Sequence, residues 1–503
     1  MKKFLKYDVV LFVLLMLLLF VPIVQEHTGV FPVKPLKGVF EPTPQPELSL
    51  ESYKTNAYQM QLEKYVGEHF GLREPVIRVY NQYLWSAYHK TYCHFIMPGK
   101  KGWLYYTNAV YDYYGNEVPK HYESDSAAIA DAENELRQMV ELREVLKSHG
   151  VEFLAFIAPD KTKVYPEYLP RQDANTTSVR MAEYYDRRMT ELGFPHVDMT
   201  QWFVAMRDTA SFALFPKTDS HWRYSAVYGY DSLFRYMNTL GGPTFPTLHI
   251  GPAIGFSSGE MEGDEETLNL LFRIRGGDVK YKSDITVEQD SSQRKPRVLF
   301  VGDSFIWSLD THLPTRSLMD NREVWFYNNT AFEGFDNRKE NVKEIDRLRH
   351  ILNADYVVFY SAGHQWWEAT YGFAADALQL FRQASETDIT KARLMNDIEH
   401  DKDWLSRLKI YASQKSVSLE EILRDEADNV LENKALLRDS VVKDTAAFIQ
   451  IKKAEIMRQW RGNAEQMKQI EEKAKKRNLS VEVMLEKDAQ WVIDRQIENG
   501  ELF

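Results

Sequence analysis

The chain has 503 residues, with 62 Lys and Arg against 73 Asp and Glu for a net charge of −11. That length allows two folded units plus accessory segments, and the 44% hydrophobic share supports a real core. The acidic balance argues against a nucleic-acid role, which needs clustered Lys and Arg; a single cysteine, Cys93, excludes an intramolecular disulfide framework and a zinc site of several thiolates.

Lys2, Lys3 and Lys6 precede an apolar run from Val9 to Val24 that Pro22 interrupts near its end. A basic flank followed by an apolar stretch is an export signal with its N-terminus inside. No small-x-small cleavage site follows in Gln25-Glu26-His27-Thr28, so residues 1–28 are expected to form an uncleaved, single-pass signal anchor. Everything after it then lies outside the cytoplasm. Residues 29–54 hold Pro32, Pro35, Pro42, Pro44 and Pro46 and read as an extended linker between membrane and domain.

Arg73 to Tyr88 patterns as a short amphipathic helix, and Gly102 to Tyr106 as the strand that opens the globular part. A helix with Leu136, Met139, Val140 and Leu146 inward ends at Gly150, and an apolar strand, Val151 to Ala158, follows. Helices are expected around 178–192, 224–240, 304–309 and 341–352. Strands are expected at His196–Met199, Arg297–Val301, Glu323–Tyr327 and Asp355–Tyr360. Short apolar strands alternating with helices predict an α/β domain over 55–374, flavodoxin-like, with a mostly parallel sheet covered on both faces. Residues 243–296 read as an insertion or β excursion. After 375 strand signals vanish and an all-α region is predicted to the end. It repeats at an interval of 62 positions: Lys391, Ala392, Met395, Ala412, Ser418, Leu423 and Ala427 return as Lys453, Ala454, Met457, Ala474, Ser480, Leu485 and Ala489. Such a tail serves either to bind a partner or envelope or as a packing appendage.

Three segments carry chemistry. In Val298-Leu-Phe-Val-Gly302-Asp303-Ser304 an apolar strand ends in glycine and a serine stands where a helix begins, its hydroxyl exposed beside helix amides. In Thr218-Asp219-Ser220-His221-Trp222, His221 is a candidate base for that serine and Asp219 its orienting acceptor. Pro159-Asp160-Lys161 follows the first strand, where Lys161 can position an anionic or sugar group. The plain alternatives are a helix cap, a half-buried histidine beside a capping Asp, and a surface turn.

Together these segments, with Phe70-Gly71-Leu72-Arg73, Gly102-Trp103-Leu104 and Tyr165-Pro166-Glu167, resemble the SGNH-hydrolase-like alginate O-acetyltransferases of the AlgJ and AlgX type. The resemblance spans about 55–370, and the Asp-x-His-Trp motif upstream of Gly-Asp-Ser carries most of it. It implies an SGNH-like fold and a catalytic triad of Ser304, His221 and Asp219. It also implies a polysaccharide acceptor at the cell surface and an acetyl donor delivered by a membrane-bound O-acyltransferase (MBOAT) partner, with no bound cofactor or metal. The domain would face the periplasm from the inner membrane. The repeated tail has no counterpart in the carbohydrate-binding module that ends AlgX-type proteins. For oxyanion donors the Ser304 amide is the first candidate, then Asn328 and Asn329 after a strand. Trp222, Trp307, Trp366 and Trp367 are candidates to line a sugar groove, and His364 is a rival base. A secreted carbohydrate esterase and a non-catalytic assembly scaffold are the competing functions.

Overall fold

The computed structural model describes residues 2–38, 43–116, 124–257, 259–274, 276–289, 294–415, 417–443, 445–477 and 479–498. The chain divides into two compact units, Met1–Gln383 and Ala384–Phe503.

Helix α1 (Lys2–Thr28) contains Tyr7–Thr28, the one stretch among the described residues long and apolar enough to cross a membrane. The Pro-rich segment behind it is bonded to the folded unit at Lys37 and Thr43. Lys37 N donates to Asn269 Oδ1 at 2.8 Å, and Thr43 N donates to Glu68 Oε2 at 2.6 Å. Pro42 lies outside the described residues. Helix α2 (Arg73–Tyr88) follows. Ser124 caps α3 (Asp125–Ser148) by accepting from Ala127 N, and Gly150 at φ 78° turns the chain out of that helix.

The main sheet has seven strands: β1 (Glu152–Ala158), β2 (His196–Asp198), β3 (Arg297–Gly302), β4 (Asn321–Phe326), β5 (Thr330–Glu333), β6 (Arg338–Asn341) and β7 (Tyr356–Ala362). Their order is β6-β5-β4-β3-β7-β1-β2. The five from β4 to β2 pair in parallel, which requires both faces to be covered and explains runs such as Phe153-Leu-Ala-Phe-Ile-Ala158. Phe156, Phe300, Val358 and Tyr360 point to one face, against Tyr230, Leu233 and Phe234 of α4 (Ala226–Met237). On the other face Phe153 meets Phe373 of α5 (Phe373–Gln383), a helix that packs on α3. Residues 375–383 therefore sit in the first unit.

The antiparallel β5–β6 hairpin is the main departure from the sequence reading. The helix expected at 341–352 begins only at Arg347 and runs to Asn353. The Arg-Lys-Glu-Asn stretch at 338–341 has helix-forming residues, but pairing with β5 after the Gly334 turn (φ 56°) overrides that propensity. Residues 243–296 form two ribbons, Thr247–Ile250 with Ile285–Glu288 and Ile254–Ser257 with Val279–Lys282, plus a helical turn at Asp264–Thr267.

The second unit is helical: α6 (Glu386–His400), α7 (Lys402–Lys415), α8 (Leu419–Lys443), α9 (Thr445–Arg461), α10 (Ala464–Arg477) and α11 (Val481–Glu498). Met395, Ala412 and Leu423 share one core, and Met457, Ala474 and Leu485 share another. Residues at the 62-position interval thus occupy equivalent places. Lys391 pairs with Asp428 and Lys453 with Glu486, so each copy ties its first helix to its last.

Candidate active site

Strand β3 ends at Gly302, where an added Cβ would lie 1.8 Å from Tyr360 O, so only glycine lets β3 approach β7 there. Asp303 turns the chain. Its Oδ1 accepts from Phe305 N at 3.0 Å, and its Oδ2 accepts from Ala362 N at 2.8 Å and Ser361 Oγ at 3.0 Å. Ser304 is thereby fixed at the start of a 3-10 turn, Ser304–Ile306, at the carboxyl edge of the sheet.

The loop before α4 brings His221 to it. His221 Nε2 lies 2.7 Å from Ser304 Oγ, and His221 Nδ1 lies 3.2 Å from Asp219 Oδ1. A carboxylate only accepts, so Nδ1 carries the proton and, in the neutral ring, Nε2 accepts the serine hydroxyl. Asp219 Oδ1 also accepts from His221 N at 3.1 Å, and its Oδ2 accepts from Arg223 Nε at 2.8 Å and from Arg223 Nη2. Asp264 braces the same loop by accepting from Ser220 N at 2.6 Å.

These contacts set the charges. Burial pushes the Asp219 carboxyl up, but the bond and charge of His221 and the charge of Arg223 outweigh it and hold Asp219 below the usual carboxylate range. Burial lowers His221, yet the bond and charge of Asp219, with Asp264 and Asp303 nearby, raise it to about 9. Burial and the neighbouring Asp219 lift Asp264 to about 6. Ligand atoms of Asp219, His221 and Asp264 lie within 4.8 Å of one another. In the structure Arg223 engages Asp219 and the Ser220 amide engages Asp264, so these carboxylates brace the loop that carries His221.

The structure brings Ser304, His221 and Asp219 together and puts other named residues elsewhere. Lys161 is turned inward and not into an open site. It is 3% exposed, and its ammonium donates to the carbonyls of Leu104 (2.6 Å), Lys217 (2.9 Å) and Asp219 (2.9 Å) beneath the rings of Trp103 and Tyr105. Trp222 is core, among Phe156, Phe203, Tyr230 and Phe305, with Nε1 donating to Phe305 O. Trp366 and Trp367 are buried as well, the second donating to Asp112, while Trp307 packs on Phe326 and Phe332. Asn328 turns away, donating to Tyr371 O and Asp376. Asn329 is a turn residue whose N–H donates to Phe326 O at 3.0 Å. His364 is paired with the buried Asp160 at 2.6 Å.

Three neighbours of these residues emerge only from the structure: Arg223 and Asp264, which hold the Asp219–His221 loop, and Tyr327, whose side chain lies near Ser304. Burial and the nearby Asp303 push the Tyr327 phenol well above its usual value, so it stays a donor. A cavity of about 510 Å³ lies alongside, lined by Arg223, Trp103, Phe256, Tyr281, Lys280 and Glu262 among others. Ser304 and His221 do not line it.

Residues 96–239 match the family model described as SGNH hydrolase-like domain, acetyltransferase AlgX. The match takes in Asp219 and His221 and stops before Ser304. Among solved structures, the O-acetyltransferase domain of Pseudomonas putida AlgJ is 15% identical, over 54% of this chain and 92% of that one, with a TM-score of 0.36. Bacillus cereus PatB1 with a sulfonyl adduct is 11% identical over 55% and 99%, TM-score 0.35. Pseudomonas aeruginosa AlgX is 14% identical over 56% and 65%, TM-score 0.33. Scores this low add nothing to the strand order and the family-model match. No curated protein matches the chain in sequence.

Proposed function

We propose that this protein, whose residues 96–239 match the family model of an SGNH-hydrolase-like, AlgX-type acetyltransferase domain, is an O-acetyltransferase that acetylates an exported or cell-surface polysaccharide through an acetyl-Ser304 intermediate. The observation that carries the reading is the 2.7 Å approach of His221 Nε2 to Ser304 Oγ with Asp219 behind it.

In the proposed reaction His221 Nε2 takes the hydroxyl proton as Ser304 Oγ attacks the donor acetyl carbonyl. The Ser304 N–H and the Tyr327 hydroxyl are the donors we assign to the oxyanion. Collapse expels the donor's leaving group, which takes the proton back from His221, and leaves acetyl-Ser304. A sugar hydroxyl then gives its proton to His221 and attacks the ester; the Ser304 Oγ–acyl bond breaks as His221 returns that proton to Oγ, releasing the acetylated sugar. Asp219, clamped by Arg223, stabilises the imidazolium in both halves. The acetyl group would come from a membrane-bound O-acyltransferase partner. The α1 helix would hold the domain on the extracytoplasmic side of the inner membrane.

Water competes with sugar because the His221 side chain is 36% exposed, which keeps the esterase reading alive. Purified full-length protein supplied with p-nitrophenyl acetate, with and without oligosaccharide acceptors, separates the two. Transfer is supported when acetylated sugar appears and free acetate falls as acceptor is added. Acetate release indifferent to acceptor supports the esterase. Unchanged rates in Ser304→Ala would defeat both.

A further inference from the structure

We propose that the exposed face of α2, continued by Leu271 and Phe272, is a membrane-interface platform that seats the domain on the lipid surface. The proposal rests on reading α1 as a retained membrane span.

Val76, Val79, Tyr80 and Tyr83 lie at helical spacing on one face of α2 and are 50–56% exposed. The other exposed residues from Val76 to Tyr88 are Ser86, Ala87 and Tyr88, so that face carries no charge. Helix faces turned to water are normally charged. Aliphatic residues mixed with tyrosines suit the headgroup boundary, where the ring body is buried and the hydroxyl stays wet. The opposite side of α2 grips the chain between the two strands of the second ribbon. Asn81 donates to Leu268 O at 2.9 Å, and Phe272 N donates to Gln82 Oε1 at 3.0 Å. This leaves Phe272 70% exposed and Leu271 42% exposed.

Position relative to the bilayer follows from Gly71, in the turn before α2. An added Cβ there would lie 2.3 Å from Pro22 O and 2.5 Å from Glu26 N, so the outer end of α1 presses directly on that turn. Helix α2 therefore starts at the level where the span leaves the hydrocarbon. The strap between them is bonded to both. The Gln25 side chain bonds Phe31 N and O, Arg78 donates to Pro35 O at 2.8 Å, and Asn269 exchanges two bonds with the Lys37 backbone. Span, strap and platform form one block, and a lipid surface is the occupant whose position the span end dictates.

The test uses the full chain, with Cys93→Ala, in phospholipid nanodiscs of phosphatidylethanolamine and phosphatidylglycerol. Single cysteines replace Val79, Tyr83, His27 or Lys147 and carry an environment-sensitive fluorophore, and nitroxide-headgroup lipid is the quencher. Lys147 is exposed near the amino edge of the sheet, opposite the end that holds Ser304. Labels at positions 79, 83 and 27 are expected to lose intensity, with position 147 unaffected. Quenching at 27 alone would overturn the platform while leaving the anchor intact, and would point to a protein covering the face. No quenching at 27, 79 or 83 would overturn the anchor reading along with it.

Discussion

Replacing Asp264 with Asn removes one negative charge near His221 while keeping an acceptor for the Ser220 amide. The Asp264 and His221 ligand atoms lie within 4.8 Å of each other. At an effective dielectric of about 40, intermediate between interior and water because the imidazole is partly exposed, that charge stabilises the imidazolium by about 1.7 kcal/mol, a little over one pH unit. Asp264 titrates near 6 and is ionised above neutrality. His221 acts as a base only when neutral, so wild-type kcat/KM should rise with pH through about 9. In Asp264→Asn the midpoint should fall by about one unit, and the rate at pH 7 should rise by up to about tenfold. The assay is kcat/KM for p-nitrophenyl acetate from pH 6 to 10, with circular dichroism to verify folding. A folded variant with an unmoved midpoint would refute the field argument, and a rate lost equally at every pH would make Asp264 a direct participant.

Asp219→Asn should leave the protein folded and lower kcat by roughly 10³–10⁴, because the amide can present the wrong atom to His221 Nδ1; steady-state kinetics at the pH optimum measures it. Tyr327→Phe should lower kcat by about 10²-fold or more with little change in KM, as expected for a donor used mainly in the transition state; equal loss in both would make it a binding contact instead. Lys161→Met should leave the Leu104 and Asp219 carbonyls without their ammonium donor, Lys217 O keeping the Leu104 amide, and lower stability by roughly 3–5 kcal/mol, read from the denaturant midpoint, with partial recovery in Lys161→Arg.

The parallel core was legible because its strands are buried on both faces and read as unbroken apolar runs. Ser304, His221 and Asp219 were legible because local sequence positions them: a glycine-ended strand, then a turn, and an Asp two residues before its His. The residues that tune them were less so. Arg223 stands four residues after Asp219, a spacing that charge pairing alone could have flagged. Asp264 sits in an insertion without periodicity, so nothing in its neighbourhood marks it. Tyr327 immediately precedes the asparagines chosen for the oxyanion; its φ of 50° aims its side chain differently from that of the strand residues before it. Lys161 was singled out at the right strand end, but its role is set by three carbonyls from distant loops. Of the tryptophans proposed for a sugar groove, Trp222, Trp366 and Trp367 are buried in the core and only Trp307 is part-exposed.

The most direct measurement is mass spectrometry of the peptide containing Ser304 after rapid quench of full-length protein with p-nitrophenyl acetate. One acetyl group should appear on Ser304, disappear on adding the sugar acceptor, and fail to form in His221→Ala. A wild-type Ser304 that never carries acetyl while acetylated sugar accumulates would contradict the account.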